Sequence, residues 1–128
     1  MSVVLDASAL IASLLGEPGA NAVDGALDGA IMSTVNLAEV AGHFGRGGAA
    51  AQRVEELLSG LPIDYVAPDR DLALRAGAMR AQTDRLGLAL GDRFCLALAK
   101  SLGFPVLSAD RAWLDVAPSL GVEVRLIR

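Results

Sequence analysis

The 128-residue sequence contains one cysteine, Cys95, so an internal disulfide is excluded. That cysteine lies in the apolar run Phe94-Cys95-Leu96-Ala97-Leu98-Ala99, where a buried, unreactive thiol is the expected state. There is a single histidine, His43, so no Cys/His cluster of the kind that binds zinc can form. Lys100 is the only lysine, and the remaining basic residues are arginine, the side chain suited to forked recognition of phosphate or carboxylate. The longest stretches free of Asp, Glu, Lys and Arg, Ala7–Gly16 and Gly29–Ala38, fall far short of the roughly 20 residues of a membrane-spanning helix. Met1-Ser2-Val3-Val4-Leu5-Asp6 has no basic segment before its apolar run and an acid directly after it. No secretory signal and no membrane partner are expected, and a cytoplasmic location is.

Apolar residues, by contrast, are abundant. The sequence is 53% hydrophobic with 14 glycines, which excludes intrinsic disorder and provides for one core. Its length suits a single domain over residues 1–128. No repeat or linker interrupts it, and strands alternate with helices. Strands are expected at Val3–Leu5, Ala30–Ser33, Pro62–Val66, Phe104–Ser108 and Val122–Ile127. Helices are expected over Ala7–Leu15, Ala20–Leu27, from about Asn36 to the Gly45-Arg46-Gly47-Gly48 break, over Ala49–Ser59, Asp69–Leu86 and Asp92–Leu102. This order predicts an α/β fold, a three-layer sandwich with a mostly parallel five-stranded sheet.

In such a sheet, strand C-termini and helix N-termini meet at one edge, where ligands bind. Four acids belong to that edge. Asp6 ends the first strand, Glu39 lies in the first turn of the helix after the second, Asp92 opens the helix before the fourth, and Asp110 lies just past the fourth. Each also has a local reading. Asp6 and Asp92 suit helix N-caps, Asp110 suits the start of the turn Asp110-Arg111-Ala112-Trp113, and Glu39 stands at capping-box distance from Asn36. Gathered together, they repel unless a cation lies between them, and an all-oxygen set selects Mg²⁺ or Mn²⁺.

The segments Val4-Leu5-Asp6-Ala7-Ser8-Ala9-Leu10, Ser33-Thr34-Val35-Asn36-Leu37-Ala38-Glu39-Val40, Leu90-Gly91-Asp92-Arg93-Phe94-Cys95 and Val106-Leu107-Ser108-Ala109-Asp110-Arg111 resemble the four signature blocks of PIN-domain ribonucleases. More narrowly, they are similar to VapC toxins of toxin–antitoxin pairs. Ser108 stands where that family more often has threonine, which keeps the hydroxyl. The resemblance implies a Mg²⁺- or Mn²⁺-dependent endoribonuclease with Asp6, Glu39, Asp92 and Asp110 as metal ligands, directly or through water. It also implies a homodimer and a VapB-like antitoxin whose tail fills the active-site groove.

Without a histidine at these motifs, the expected nucleophile is a metal-activated water, leaving 5′-phosphate and 3′-hydroxyl ends. Ser8, Asn36 and Ser108 are placed to orient the carboxylates, although local backbone bonding is an equal reading for each. Arg46, Arg93 and Arg111 are candidates for phosphate contacts, with pairing to a neighbouring acid an alternative for Arg93. The net charge of −4 does not exclude RNA, because setting the four site acids aside leaves eleven acids against eleven bases. His43, one turn beyond Glu39, is expected to be a surface or packed residue, and Trp113 a packing residue. Two alternatives stand beside the nuclease. One is a PIN scaffold that binds a partner without catalysis. The other is a phosphate-accepting receiver domain, which lacks support because Asp6 is followed by Ala7 and Ser8 and Lys100 lies late in a helix.

Overall fold

In the computed structural model, which describes residues 2–128, five strands form one sheet in which every neighbouring pair is parallel. The strands are β1 (Val4–Leu5), β2 (Ala30–Ser33), β3 (Ile63–Val66), β4 (Val106–Ser108) and β5 (Val124–Leu126), in the spatial order β3-β2-β1-β4-β5. The helices are α1 (Ala7–Leu15), α2 (Ala20–Asp24), α3 (Thr34–Arg46), α4 (Ala51–Ser59), α5 (Arg70–Ala78), α6 (Arg80–Thr83), α7 (Leu90–Leu102) and α8 (Trp113–Leu120).

The period of two along each strand sorts the core into two halves. Val4 and Val106 face a cluster built with Leu72, Ala76, Met79, Leu96, Trp113 and Val116, from α5 to α8. Leu5, Ala30, Met32 and Leu107 face the opposite cluster, with Leu10, Val23, Val40, Val54 and Leu58 from α1 to α4. The sheet is therefore covered on both faces, which is why its central strands are continuously apolar. Cys95 is fully buried in the first cluster, as is Trp113.

Several boundaries differ from the sequence reading. α3 begins at Thr34 rather than near Asn36, because Ser33 is the N-cap and its Oγ accepts from the Val35 amide at 3.1 Å. Asn36 is thus inside the helix and Glu39 lies in its second turn, so the Asn36–Glu39 capping box does not form. α7 begins at Leu90, which puts Asp92 third in the helix instead of at its opening. The expected helix Asp69–Leu86 is broken at Met79 into α5, α6 and a 3-10 turn, Asp84–Leu86. The Met79 carbonyl accepts from both the Thr83 amide, at 3.2 Å, and the Thr83 hydroxyl, at 2.9 Å, back-bonding that bends a helix. α8 has no counterpart in the sequence reading and contains Pro118.

The candidate active site

The strand order places the site. β1 connects to β2 on one side and has β4 on the other, so the chain reverses its direction of winding between β1 and β4. The crevice beyond the C-terminal ends of strands at such a switch point is where α/β sheets bind ligands. Asp6 directly follows β1, and Asp110 lies two residues past β4.

Asp6 is 4% exposed and is also the N-cap of α1, its Oδ1 accepting from the Ala9 amide at 2.8 Å. The Ser8 hydroxyl donates to the same carboxylate at 2.7 and 2.9 Å, and the Ser108 hydroxyl donates to Oδ2 at 2.7 Å. The two serines accept in turn from the far strand's exit. Ser8 Oγ takes the Ala109 amide and Ser108 Oγ the Asp110 amide, each at 3.0 Å. One buried carboxylate and two hydroxyls therefore join the ends of β1 and β4. Asp110 is exposed, and its Oδ1 accepts from the Ala112 amide at 2.9 Å, which opens the turn leading to α8.

The second pair of acids is held by α3 and α7. Asp92 reaches back from the first turn of α7 to accept from the Ala89 amide at 2.8 Å. Glu39, exposed on α3, accepts from Asn36 Nδ2 at 2.8 Å, and the same amide nitrogen donates to the Gly91 carbonyl at 3.0 Å. Asn36 is fully buried, and its Oδ1 has no partner. Gly91 is buried against Glu39, and although it stands in the Leu90–Cys95 segment the sequence reading gives it no role.

The electrostatics couple the four acids. Burial raises the Asp6 carboxyl from 3.8 to about 6, against the lowering effect of its hydrogen bonds from Ser8, Ala9 and Ser108, and Asp92 adds to the rise. Burial also raises Glu39, opposed by Asn36 and reinforced by Asp92. Asp92 is raised by burial, lowered by the Ala89 amide, raised by Asp110 and lowered by Arg93. Asp92 thus stands within Coulombic reach of the other three. Among the described residues none of the four is in a salt bridge. The Cys95 thiol is pushed well up by burial, with further contributions from Asp6, Asp92 and Glu39, so it stays protonated beneath the site.

These acids share an edge but do not form a finished cage. Among the described residues, no three His, Cys, Asp or Glu side chains are grouped closely enough to hold a metal ion. The donor set nevertheless fits Mg²⁺ or Mn²⁺ in chemistry. It is all oxygen, it has no salt bridge among the described residues, and Mg²⁺ is commonly held by one or two carboxylates plus water and substrate phosphate.

The arginine expectations fare unevenly. Arg93 is corrected as a phosphate contact, because it is 8% exposed and its Nη1 donates to the Leu88 carbonyl at 3.1 Å, with Nε unpartnered. Arg111 is exposed beside Asp110, its Nη2 donating to the Arg128 carbonyl at 3.3 Å. Arg46 is exposed but is the last residue of α3, roughly 10 Å along the helix from Glu39. His43 is exposed one turn beyond Glu39, edge-on to the Phe44 ring at 5.5 Å.

The comparisons with known proteins agree with this architecture. No curated protein matches the sequence. A toxin–antitoxin complex from Klebsiella pneumoniae contains a chain 22% identical, covering 98% of both chains with a TM-score of 0.73. DNA-bound VapBC from Salmonella typhimurium is 18% identical over 100% of this chain and 99% of that one, with a TM-score of 0.76. VapBC-5 from Mycobacterium tuberculosis is 28% identical over 99% and 98%, with a TM-score of 0.63. The PIN domain family model matches residues 3–118, a span that takes in all four acids and leaves the receiver alternative without support. With that match added to the parallel sheet and its acidic switch point, the chain belongs to the PIN domain family.

Proposed function

We propose that this protein is a Mg²⁺- or Mn²⁺-dependent endoribonuclease acting as the toxin of a toxin–antitoxin pair. The observation that carries the reading is a buried carboxylate, Asp6, at the sheet's switch point, with Asp92 within Coulombic reach of it, Glu39 and Asp110 within reach of Asp92 and, among the described residues, no salt bridge to any of the four. A fold tolerates such repulsion where a cation is to be bound. The likeness to VapBC structures over nearly the whole chain supports the toxin role.

In this reading Asp6, Glu39, Asp92 and Asp110 hold the ion directly or through water. When bound, it supplies the acidity that makes water a nucleophile near neutral pH and the positive charge that stabilises the leaving 3′ oxygen. The protein's part is positioning. Ser8 and Ser108 fix Asp6, Asn36 fixes Glu39, and the Ala89 amide fixes Asp92. Exposed Arg111, next to Asp110, is the arginine best placed for a substrate phosphate, and Arg46 lies further out.

The partners proposed are RNA, a VapB-like antitoxin and a second copy of the chain. An apolar groove between α3 and α4, lined by Leu37, Ala41, Val54, Leu58 and Tyr65, provides surface for a protein partner. Leu57, 43% exposed on α4, lines a neighbouring groove with Phe44, Ala49 and Val54. Light scattering at micromolar concentration checks the homodimer, and a 13 kDa monomer alone would defeat it.

The test of catalysis is cleavage of end-labelled RNA with Mg²⁺, Mn²⁺ or EDTA. Asp92→Asn is expected to lose on the order of 100-fold in rate, since one electrostatic contact to a reacting centre is commonly worth that much. EDTA is expected to stop the wild type, and products are expected to carry 5′-phosphate ends. A partner-binding scaffold without catalysis is the second reading, favoured by the unclosed acid cluster. It predicts no cleavage under any of these conditions.

A further inference from the structure

Gly91 is one of the seven glycines, of fourteen, whose φ is not positive, so its backbone conformation does not call for glycine. The seven with positive φ lie at helix ends and turns. It is the second residue of α7, where a helix accepts alanine and where glycine costs roughly 0.5–1 kcal/mol relative to alanine. What occupies its missing side chain is specific. A Cβ at Gly91 would lie under 3.0 Å from both carboxylate oxygens and from the carboxyl carbon of Glu39. Across the same contact, Asn36 Nδ2 bridges the Glu39 carboxylate and the Gly91 carbonyl.

We infer that Gly91 is a positioning residue for Glu39, the bare helix surface into which the Glu39 carboxylate fits so that it is held beside Asp92. The inference rests on the nuclease reading for its consequence, and on the packing of α3 against α7 for its geometry. A side chain at position 91 displaces a carboxylate at the end of a flexible stem, and Glu39 has solvent to move into. Position 91 therefore tunes the site with little effect on the fold. That separates it from an ordinary packing glycine, whose replacement lowers stability.

The experiment compares wild type, Gly91→Ala, Glu39→Ala and the double variant. Thermal melting without metal is expected to leave Gly91→Ala as stable as wild type or slightly more so. The Asn36 side-chain amide, followed by NMR in metal-free protein, is expected to shift in Gly91→Ala and to exchange faster with water. Mn²⁺ affinity, measured by calorimetry, is expected to fall about tenfold in Gly91→Ala, as when a group orienting a metal ligand is lost. Once Glu39 is alanine, the Gly91→Ala change is expected to have no further effect on Mn²⁺ binding. An unshifted Asn36 amide, or equal additive losses of affinity in both backgrounds, overturns the inference. If the wild type itself binds no Mn²⁺, the metal reading falls, while the amide signals still decide whether Gly91 positions Glu39.

Discussion

Asp6 carries two duties that act on its charge in opposite directions. As an N-cap and as the acceptor of two serine hydroxyls it favours the carboxylate, yet burial raises its pKa to about 6. Burial therefore outweighs three hydrogen bonds. The native state holds a proton that the unfolded chain has released, so between pH 3.8 and about 6 this group makes stability fall as pH rises. Below that window both states are protonated, and above it the penalty is complete, roughly 2–3 kcal/mol for a shift of this size. Asp6→Asn is expected to remove that slope. The difference in unfolding free energy between wild type and variant, from urea titrations at pH 4, 5, 6 and 7.5, is expected to favour the variant progressively toward pH 7.5. Loss of the Ser108 hydroxyl's acceptor offsets part of the gain at every pH. A pH-independent difference would show that burial does not raise the Asp6 carboxyl above its unfolded value.

Helix starts explain most of what the sequence did and did not disclose about the site. Asp6 was legible as both cap and site residue because a short apolar strand ends directly on it. Asp92 suggested a helix start, but the N-cap is Ala89, which has no side-chain acceptor, and Asp92 closes the turn from two residues inside. Asn36 gave the same false signal, since the real cap, Ser33, is hidden as the last residue of β2. α8 is not foreseen: the sequence reading assigns no element between the Asp110 turn and Val122, and Pro118 lies inside the helix, where proline normally breaks one. Burial of Arg93 was equally illegible, for its partner is a backbone carbonyl five residues back, and no sequence pattern reports that. That arginine secures the loop before α7. Arg93→Ala is expected to cost about 2–3 kcal/mol in chemical denaturation, from a lost charge-assisted hydrogen bond and a packed stem. Arg93→Met, which keeps the stem and removes the unpartnered Nε, is expected to cost about half as much.

The molecule as a whole holds four acids at one edge of a sheet with, among the described residues, no salt bridge to any of them and only Arg93 offsetting the charge of Asp92. Binding of Mg²⁺ or Mn²⁺ to the native state alone is expected to raise the melting temperature with concentration, by on the order of 10 °C at a hundredfold excess over Kd. Asp92→Asn is expected to lose that response. A purely capping role for the acids predicts no response to metal in either protein, so melting curves with EDTA and with a Mn²⁺ series separate the two. The fold that sets up this edge was readable from strand and helix alternation, but the strand order was not. Pairing β1 with β4 is a long-range choice, made by side chains that meet only in the finished core.

That pairing also fixes when the site can form. Asp6 and Ser108 are bonded across 102 positions of sequence, and β1, although first in the chain, has β4 as one of its two neighbours. A ribosome adding about 5–20 residues per second takes several seconds to travel between them. Through that interval Asp6 has neither the Ser108 hydroxyl nor the strand beside it, and closing so long a loop is among the slower steps of folding. A nascent chain therefore has no assembled site until β4 and Ser108 have been made, and a chain ended before them never has one.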